Sequence, residues 1–193
     1  MRRFSFLWLI LLAGIPARSQ DASVYTPPAY LTTLNNYVRS WTAVRPDSAA
    51  ADFTSTTPFA HSVMTTRYYD GLGRPVQTVT RNGSYPTNGT AVDLVTPQVY
   101  DAYGREARQY LPFAASTYGG NTSVTDGGFK SNPFQEQQDF YNNAHPSSPV
   151  YGQGETYFYG KTEVEPSPLD RLTASYGPGD NWVHQGRGAI ALE

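Results

Sequence analysis

Histidines are the first residues to consider for proton transfer or metal binding, and this chain has three, His61, His145 and His184. No two of them lie closer than 39 residues in the sequence. None stands in a His-x3-His or His-Glu-x2-His arrangement, the spacings that place two imidazoles on one helix face around zinc. The pattern therefore predicts ordinary loop histidines and no metal site.

Acidic residues in the last third of the chain could in principle form the carboxylate pair of a glycoside hydrolase. They are Glu155, Glu163, Glu165, Asp170 and Asp180. Nothing in their spacing selects a pair, and charged turns and strand faces account for them. A G-x-S-x-G motif, a phosphate-binding glycine loop and cysteine are all absent from the sequence. We expect no catalytic residue and no cofactor, which leaves a hydrolase as the least favoured class.

A six-residue phrase that occurs twice favours a structural role instead. Residues 69–74 read YDGLGR and residues 100–105 read YDAYGR, 31 residues further on. The Asp side chain can accept hydrogen bonds from the amides that follow it, and the Gly can take a positive φ without a Cβ penalty. The Arg can pair with an aspartate or stack on a tyrosine of the adjacent unit. The predicted structural turn residues are Asp70, Gly73, Arg74, Asp101, Gly104 and Arg105.

The segments around the turns have the composition of strands. β-Branched and aromatic residues flank both phrases, which predicts hairpins over residues 63–81 and 92–112. Further strands are predicted over 36–44, 156–159, 162–165 and 169–176, with Gly160 in a turn between the second and third of these. One short helix is expected from Asn132, as N-cap, and Pro133, ending before His145. The predicted fold is mainly β: hairpins in an open twisted sheet, one short helix and long loops.

The N-terminus has the features of a secretory signal peptide. Arg2 and Arg3 precede an apolar stretch over residues 4–15, and Ala17 and Ser19 suit cleavage before Gln20. The stretch is shorter than the roughly 20 residues that a membrane-spanning helix needs. We expect a secreted or cell-surface protein with no membrane span after cleavage. Without residues 1–19 the chain has 11 basic and 16 acidic residues, which gives no support for nucleic-acid binding.

The repeated phrase resembles the YD repeat of the Rhs/YD-repeat family, large exported or surface proteins whose repeats build a β-sheet shell. Residues 69–79 and 157–171 are similar to the N-terminal region of bacterial Rhs proteins that carries a domain of unknown function. The likeness runs over about 36–188. The family's long repeat array and its C-terminal effector are missing from these 193 residues, so its toxin activity is not carried over.

The residue patterns divide the chain, and the resemblance implies the extent of its β region and a role. A signal peptide over 1–19 and an extended leader over 20–35 precede a YD-repeat-like β region over 36–188. That region contains a loop insertion over 113–150 with the short helix, and a tail follows over 189–193. The leading expectation is an exported, non-catalytic scaffold segment that forms part of a larger shell, and its partner is then the remainder of a longer YD-repeat chain.

A second interpretation is a secreted module that binds a glycan or a cell-surface protein. Exposed aromatic rings with polar rims suit the faces of sugars. The candidate binding residues are Tyr157, Tyr159, Tyr176 and Trp182. Tyrosine is equally common between paired strands of a sheet, so the sequence leaves the scaffold and the binding module both open.

Overall fold

The computed structural model describes residues 24–30, 35–46, 53–84, 90–117, 120–142, 155–165, 167 and 169–191. The predicted signal peptide and part of the leader lie outside these residues. The described residues form nine strands, one α-helix and one π-helical turn. The strands are β1 (Asn36–Ala43), β2 (Ser62–Tyr69), β3 (Pro75–Thr80), β4 (Leu94–Val99), β5 (Arg108–Tyr110), β6 (Phe113–Ala114), β7 (Tyr159–Val164), β8 (Leu172–Tyr176) and β9 (Ala189–Ile190). The helix α1 spans Pro133–Tyr141, and the π-helical turn spans Asp180–His184.

All nine strands belong to one open antiparallel sheet. Neighbouring strands follow the order β1-β2-β3-β4-β5-β7-β8-β9, and β6 pairs with β4. The predicted mainly β fold is confirmed, and the repeated phrases join β2 to β3 and β4 to β5. Along β2, buried and less buried residues alternate from Ser62 to Tyr69, because successive side chains point to opposite faces of a sheet.

Several boundaries differ from the sequence-based predictions. The strands predicted over 156–159 and 169–176 begin at Tyr159 and Leu172. Gly160 lies inside β7, paired with Gln109 of β5, and the turn follows β7 instead. A Cβ on Gly160 would lie 3.0 Å from the backbone oxygen of Tyr176, so the glycine permits close strand approach here. The predicted loop insertion over 113–150 contains β6, which extends the sheet beside β4. The predicted tail over 189–193 contains β9, which pairs with β8.

Two clusters of buried side chains form the core, and both include residues of the sheet. The first contains Tyr68, Val76, Val79, Val95, Phe113 and Ala115. The second contains Tyr110, Phe134, Tyr157, Tyr159, Ala174, Tyr176 and Val183. The Tyr30 ring packs against both clusters, and its hydroxyl donates to the backbone oxygen of Val76. Residues of the predicted leader therefore take part in the core.

The helix α1 begins where the sequence predicts it. Asn132 is the N-cap residue and Pro133 follows it, but the Asn132 side chain makes no capping hydrogen bond. Packing fixes the helix instead: Phe134 meets the Tyr110 ring with centroids 4.9 Å apart. The Glu136 carboxylate accepts hydrogen bonds from the Ser116 amide and the Asn121 side chain. Burial raises the pKa of Glu136 above its ordinary value, although these hydrogen bonds oppose the shift.

A buried ion pair attaches the segment before α1 to the sheet. The Lys130 Nζ lies 2.8 Å from the Asp93 carboxylate, and the two side chains are 1% and 0% exposed. Asp93 also accepts hydrogen bonds from the amides of Asn82 and Gly127. The Gln77 side chain exchanges two hydrogen bonds with the backbone of Lys130. These contacts satisfy both charges and hold the segment before α1 against the sheet.

Candidate functional site: the row of hairpin turns

The first turn, over residues 70–74, is organised by the Asp70 side chain. Its Oδ1 accepts hydrogen bonds from the amides of Leu72 and Arg74, and its Oδ2 accepts one from the Arg74 Nε at 2.8 Å. The Asp70 amide donates to the Arg74 carbonyl, which closes the hairpin. Gly73 has a φ of 78°, which lies in the left-handed region where a Cβ is unfavourable. Sequence-local groups therefore define the whole turn.

The second turn, over residues 101–105, repeats this arrangement bond for bond. The Asp101 Oδ1 accepts from the amides of Tyr103 and Arg105, and its Oδ2 accepts from the Arg105 Nε at 2.8 Å. Gly104 has a φ of 80°. The six turn residues singled out in the sequence thus have equivalent positions in two hairpins.

A third turn of the same design joins β7 to β8, and the repeated phrase does not reveal it. Asp170 takes the positive-φ position, with a φ of 48°, and its amide donates to the Ser167 carbonyl. The Ser167 hydroxyl accepts from the Leu169 amide, as the first Asp does elsewhere. The Arg171 guanidinium makes two 3.0 Å hydrogen bonds to Glu165. Ser167 and Glu165 thus accept the hydrogen bonds from the amide and from the arginine that a single aspartate accepts in the other two turns.

The sequence carries one signal for this third turn, the spacing of a leucine and an arginine. Leu169 and Arg171 match Leu72 and Arg74 of the first turn in residue type and spacing. Aspartate is among the few residues that tolerate the left-handed conformation, so Asp170 can replace the glycine. The Y-D-x-x-G-R frame does not extend to this turn, because Ser167 stands in place of the Asp and Asp170 in place of the Gly.

The hydrogen bonds within the turns favour the ionised carboxylates. Burial alone would raise the pKa of Asp70 and of Asp101, but bonds from the following arginine and amides outweigh burial and lower both pKa values. The pKa of Glu165 is lowered by hydrogen bonds from the Arg171 guanidinium and then the Ser167 hydroxyl. Carboxylates held in the ionised form act as hydrogen-bond acceptors, which suits turn formation better than proton transfer.

The three turns lie at the same end of the sheet, because strand direction alternates along the order and β2, β4 and β7, the strands that lead into the turns, all run in the same direction. Two strand spacings separate successive turns, which is roughly 10 Å. The Arg74 guanidinium lies 4.6 Å from the centroid of the Tyr100 ring, and the Tyr100 hydroxyl donates to the Pro75 carbonyl. The Arg105 Nη1 lies 2.6 Å from the Asp170 Oδ1 of the third turn. Each turn is therefore linked to the next; we refer to the three as the turn row.

One apolar side chain projects from each turn at the same position. Leu72, Tyr103 and Leu169 are 79%, 83% and 73% exposed. The hydrogen bonds of the turn use only the backbone amide of this residue, and in the second turn the Tyr103 ring also lies 4.8 Å from the Arg105 guanidinium carbon. The recurrence leaves three exposed apolar groups along the turn row.

The four aromatic residues expected to form a sugar-binding surface have different environments. Tyr157, Tyr159 and Tyr176 are 4%, 3% and 6% exposed and belong to the core, whereas Trp182 is 51% exposed. This corrects the expectation of a shared stacking surface, because the sheet and the π-helical turn cover the three tyrosine rings. Among the four, Trp182 alone offers an exposed ring.

The remaining acid–base residues are held in structural contacts or lie apart. The Asp180 Oδ1 accepts hydrogen bonds from the amide and hydroxyl of Thr156, and the Asp180 amide donates to Glu155. His184 stacks on the Tyr157 ring, His61 contacts the exposed Arg45, and His145 lies outside the described residues. Within the described part of the chain, no group of three or more metal-ligating side chains comes together. No described helix is long and apolar enough to cross a membrane.

Glycine substitutions in the first turn provide a direct test of its geometry. We expect Gly73→Ala to lower the free energy of unfolding by about 1–2 kcal/mol, because an alanine would have to adopt the left-handed backbone conformation, where its Cβ is unfavourable. No atom lies within 4 Å of the Cβ position at Gly73 or at Gly71, so crowding plays no part. Gly71→Ala, whose φ is not in that region, is the matched control and should change stability by roughly 0.5 kcal/mol or less. Equal effects of the two substitutions in urea titrations would contradict the assigned turn.

The fold and the turn row together define a β-domain of laterally linked hairpins. A family model described as "Domain of unknown function (DUF6443)" matches residues 39–192, and the chain belongs to this family. The match covers β2 to β9 and all three turns of the row. No curated protein and no solved structure matches the chain.

Proposed function

We propose that this chain is a non-catalytic scaffold segment of an exported Rhs/YD-repeat-like protein and supplies hairpins to a larger sheet or shell. The observation that carries the proposal is the recurrence of one turn design in three hairpins of a single sheet. The Arg74–Tyr100 and Arg105–Asp170 contacts link each hairpin to the next. A unit that recognises its own neighbour can be added repeatedly, as in other repeat proteins.

The outer edge of β1 supports the same proposal. β1 is at one end of the strand order, so within the described residues nothing pairs with its outer side. The Val44 amide donates to the His61 carbonyl, and the antiparallel alternation then directs the backbone groups of Tyr37, Arg39 and Trp41 away from β2. A long strand with free backbone groups can accept a further strand. The remainder of a longer repeat chain would supply it.

Export is the second part of the proposal. The basic residues Arg2 and Arg3, the apolar stretch and the small residues before Gln20 support secretion through a cleaved signal peptide. A secreted or cell-surface location follows, with no nucleic-acid partner. N-terminal sequencing of the exported protein tests this: a first residue other than Gln20, or retention in the cytoplasm, contradicts it.

Self-association through β1 tests the scaffold proposal. We expect the purified protein to associate as its concentration rises, and we expect Val38→Lys to reduce that association, because a lysine on an edge strand disfavours strand addition. Val38 is exposed on β1, so the substitution should leave the fold intact. Val38→Thr keeps the β-branched shape without a charge and should associate like the parent. Light scattering and hydrogen exchange at β1 provide the measurements.

A secreted binding module is the second candidate function, and one observation favours it. Leu72, Tyr103 and Leu169 are exposed at equivalent positions, which suits contact with a protein or glycan partner better than solvent. A cooperatively folding protein that stays monomeric as its concentration rises, or whose association is unchanged by Val38→Lys, would contradict the scaffold and favour this module.

A further inference from the structure

The buried pair of Asp93 and Lys130 holds an amine against a carboxyl group away from solvent. The Lys130 Nζ lies 2.8 Å from the Asp93 Oδ2, and the side chains are 1% and 0% exposed. Burial disfavours the charged form of both groups, so transfer of one proton along their hydrogen bond gives a neutral amine beside a neutral carboxylic acid. A desolvated, neutral lysine amine is a nucleophile. The pair therefore has the groups needed to form an isopeptide bond, which is an amide between two side chains.

The backbone groups around the pair suit the formation of this amide. The Asn82 amide donates to the Asp93 Oδ1 at 3.2 Å, the oxygen on which negative charge develops when the carboxyl carbon is attacked. The Gly127 amide donates to the Oδ2 at 2.9 Å. The Ser123 carbonyl oxygen lies 3.1 Å from the Lys130 Nζ, so the N–H that remains after the reaction keeps an acceptor. The contacts that satisfy the ion pair would also satisfy the amide.

A second carboxylate, that of Asp126, is placed to carry protons for the pair. Its Oδ1 lies 3.6 Å from the Lys130 Nζ, and its side chain is 55% exposed. The Gly128 amide donates to the same oxygen at 2.8 Å, which keeps the carboxylate close to Lys130. An exposed side chain has the freedom to approach further, and the hydrogen bonds of a catalytic group are often longer before the reaction than during it.

We propose that Lys130 and Asp93 form an isopeptide bond autocatalytically, with Asp126 as the proton carrier. One proton moves from the Lys130 Nζ to the Asp93 Oδ2, and the amine then attacks the Asp93 Cγ. Asp126 takes a second proton from the Nζ and delivers it to the Oδ2, the Cγ–Oδ2 bond breaks and water leaves. The third proton stays on the new amide nitrogen. The reaction needs no oxidant or cofactor, and the total charge of the three side chains does not change.

The bond joins the segment that enters β4 to the segment before α1 and closes a loop between residues 37 positions apart. The chain contains no cysteine, so a disulfide cannot provide such a link. A covalent bond between distant residues restricts the unfolded chain and so favours the folded one. The ion pair described above is the state that precedes the reaction.

Mass spectrometry of the purified, folded protein tests the proposal. We expect an intact mass that is one water below the mass of the sequence. We also expect trypsin to leave a branched peptide in which Lys130 is uncleaved and joined to the peptide that contains Asp93. An unmodified mass would overturn the proposal. Loss of water within a linear peptide, as in a succinimide between Asp126 and Gly127, would overturn it equally.

Three substitutions assign the reaction to these residues. Lys130→Arg should abolish the branched peptide, because a guanidinium stays protonated and is not a nucleophile. Asp126→Asn keeps an oxygen for the Gly128 amide but cannot carry the proton, so it keeps the test decisive if Lys130→Arg does not fold. We expect it to lower the amount of branched peptide at a fixed time after synthesis by about tenfold or more.

Lys161→Met is the matched control, because Lys161 pairs with Glu163 and both side chains are partly exposed. This variant should contain as much of the branched peptide as the parent. A parental amount of branched peptide in Asp126→Asn would overturn the role of Asp126, and its loss in Lys161→Met would overturn the assignment of the bond to Lys130.

Discussion

Lys130→Met is expected to lower the free energy of unfolding by about 3–5 kcal/mol, because it leaves a buried charge without its partner. The substitution leaves the fully buried Asp93 carboxylate without the ammonium group 2.8 Å away. The amides of Asn82 and Gly127 still donate to Asp93, but they carry no net charge. Urea and thermal unfolding of the purified variant measure the loss.

Lys161→Met is the matched control for this prediction. Lys161 forms an ion pair with Glu163 at 2.7 Å, but both side chains are partly exposed, and such pairs contribute roughly 0–1 kcal/mol. We also expect Asp93→Asn combined with Lys130→Met to be more stable than Lys130→Met alone, because no uncompensated charge then remains buried. Comparable losses for Lys130→Met and Lys161→Met would show that the buried pair does not anchor the segment before α1.

Phe134→Ala is expected to cost about 3–5 kcal/mol and to weaken the attachment of α1 to the sheet. Phe134 is buried and packs against the rings of Tyr110 and Tyr30, with centroids 4.9 Å and 6.1 Å away. Truncation leaves a cavity between the helix, the leader segment and the sheet. Denaturant unfolding gives the energy, and hydrogen exchange of the α1 amides reports the loosened helix.

Phe59→Ala provides the control for the aromatic truncation. Phe59 lies in an exposed loop, so we expect a change of roughly 0.5 kcal/mol or less. Phe134→Leu refills most of the volume and should retain more stability than Phe134→Ala. Protection of the α1 amides that is unchanged in Phe134→Ala would contradict the role of this ring in holding the helix.

The turn residues could be predicted from the sequence because their interactions are local. The Asp70 oxygens bind amides and a guanidinium no more than four residues away, so the short phrase contains the complete set of groups. The third turn obeys the same physics but divides the aspartate's role between Ser167 and Glu165. The same hydrogen bonds are made there by different residues, so the repeated phrase does not reveal them.

The local sequence does not show whether an aromatic ring is buried or exposed. Tyr157, Tyr159 and Trp182 are all aromatic residues near turns, and nothing in their immediate sequence says which are covered. Burial of the two tyrosines depends on Phe134 and the π-helical turn packing against β7 and β8. The sequence therefore suggested a binding surface where the structure has core.

The sequence by itself determined the β class, two of the three turns and the start of α1, since each depends on groups a few residues apart. Tertiary structure alone decided the Asp93–Lys130 pair, the pairing of β6 with β4 and of β9 with β8, and the position of the Arg108 guanidinium over the Tyr25 ring. Lys130 and Asp93 are 37 residues apart, and Arg108 and Tyr25 are 83 residues apart. Contacts over such separations depend on the order of the strands in the sheet and on which segments pack over its faces. No short sequence pattern encodes either.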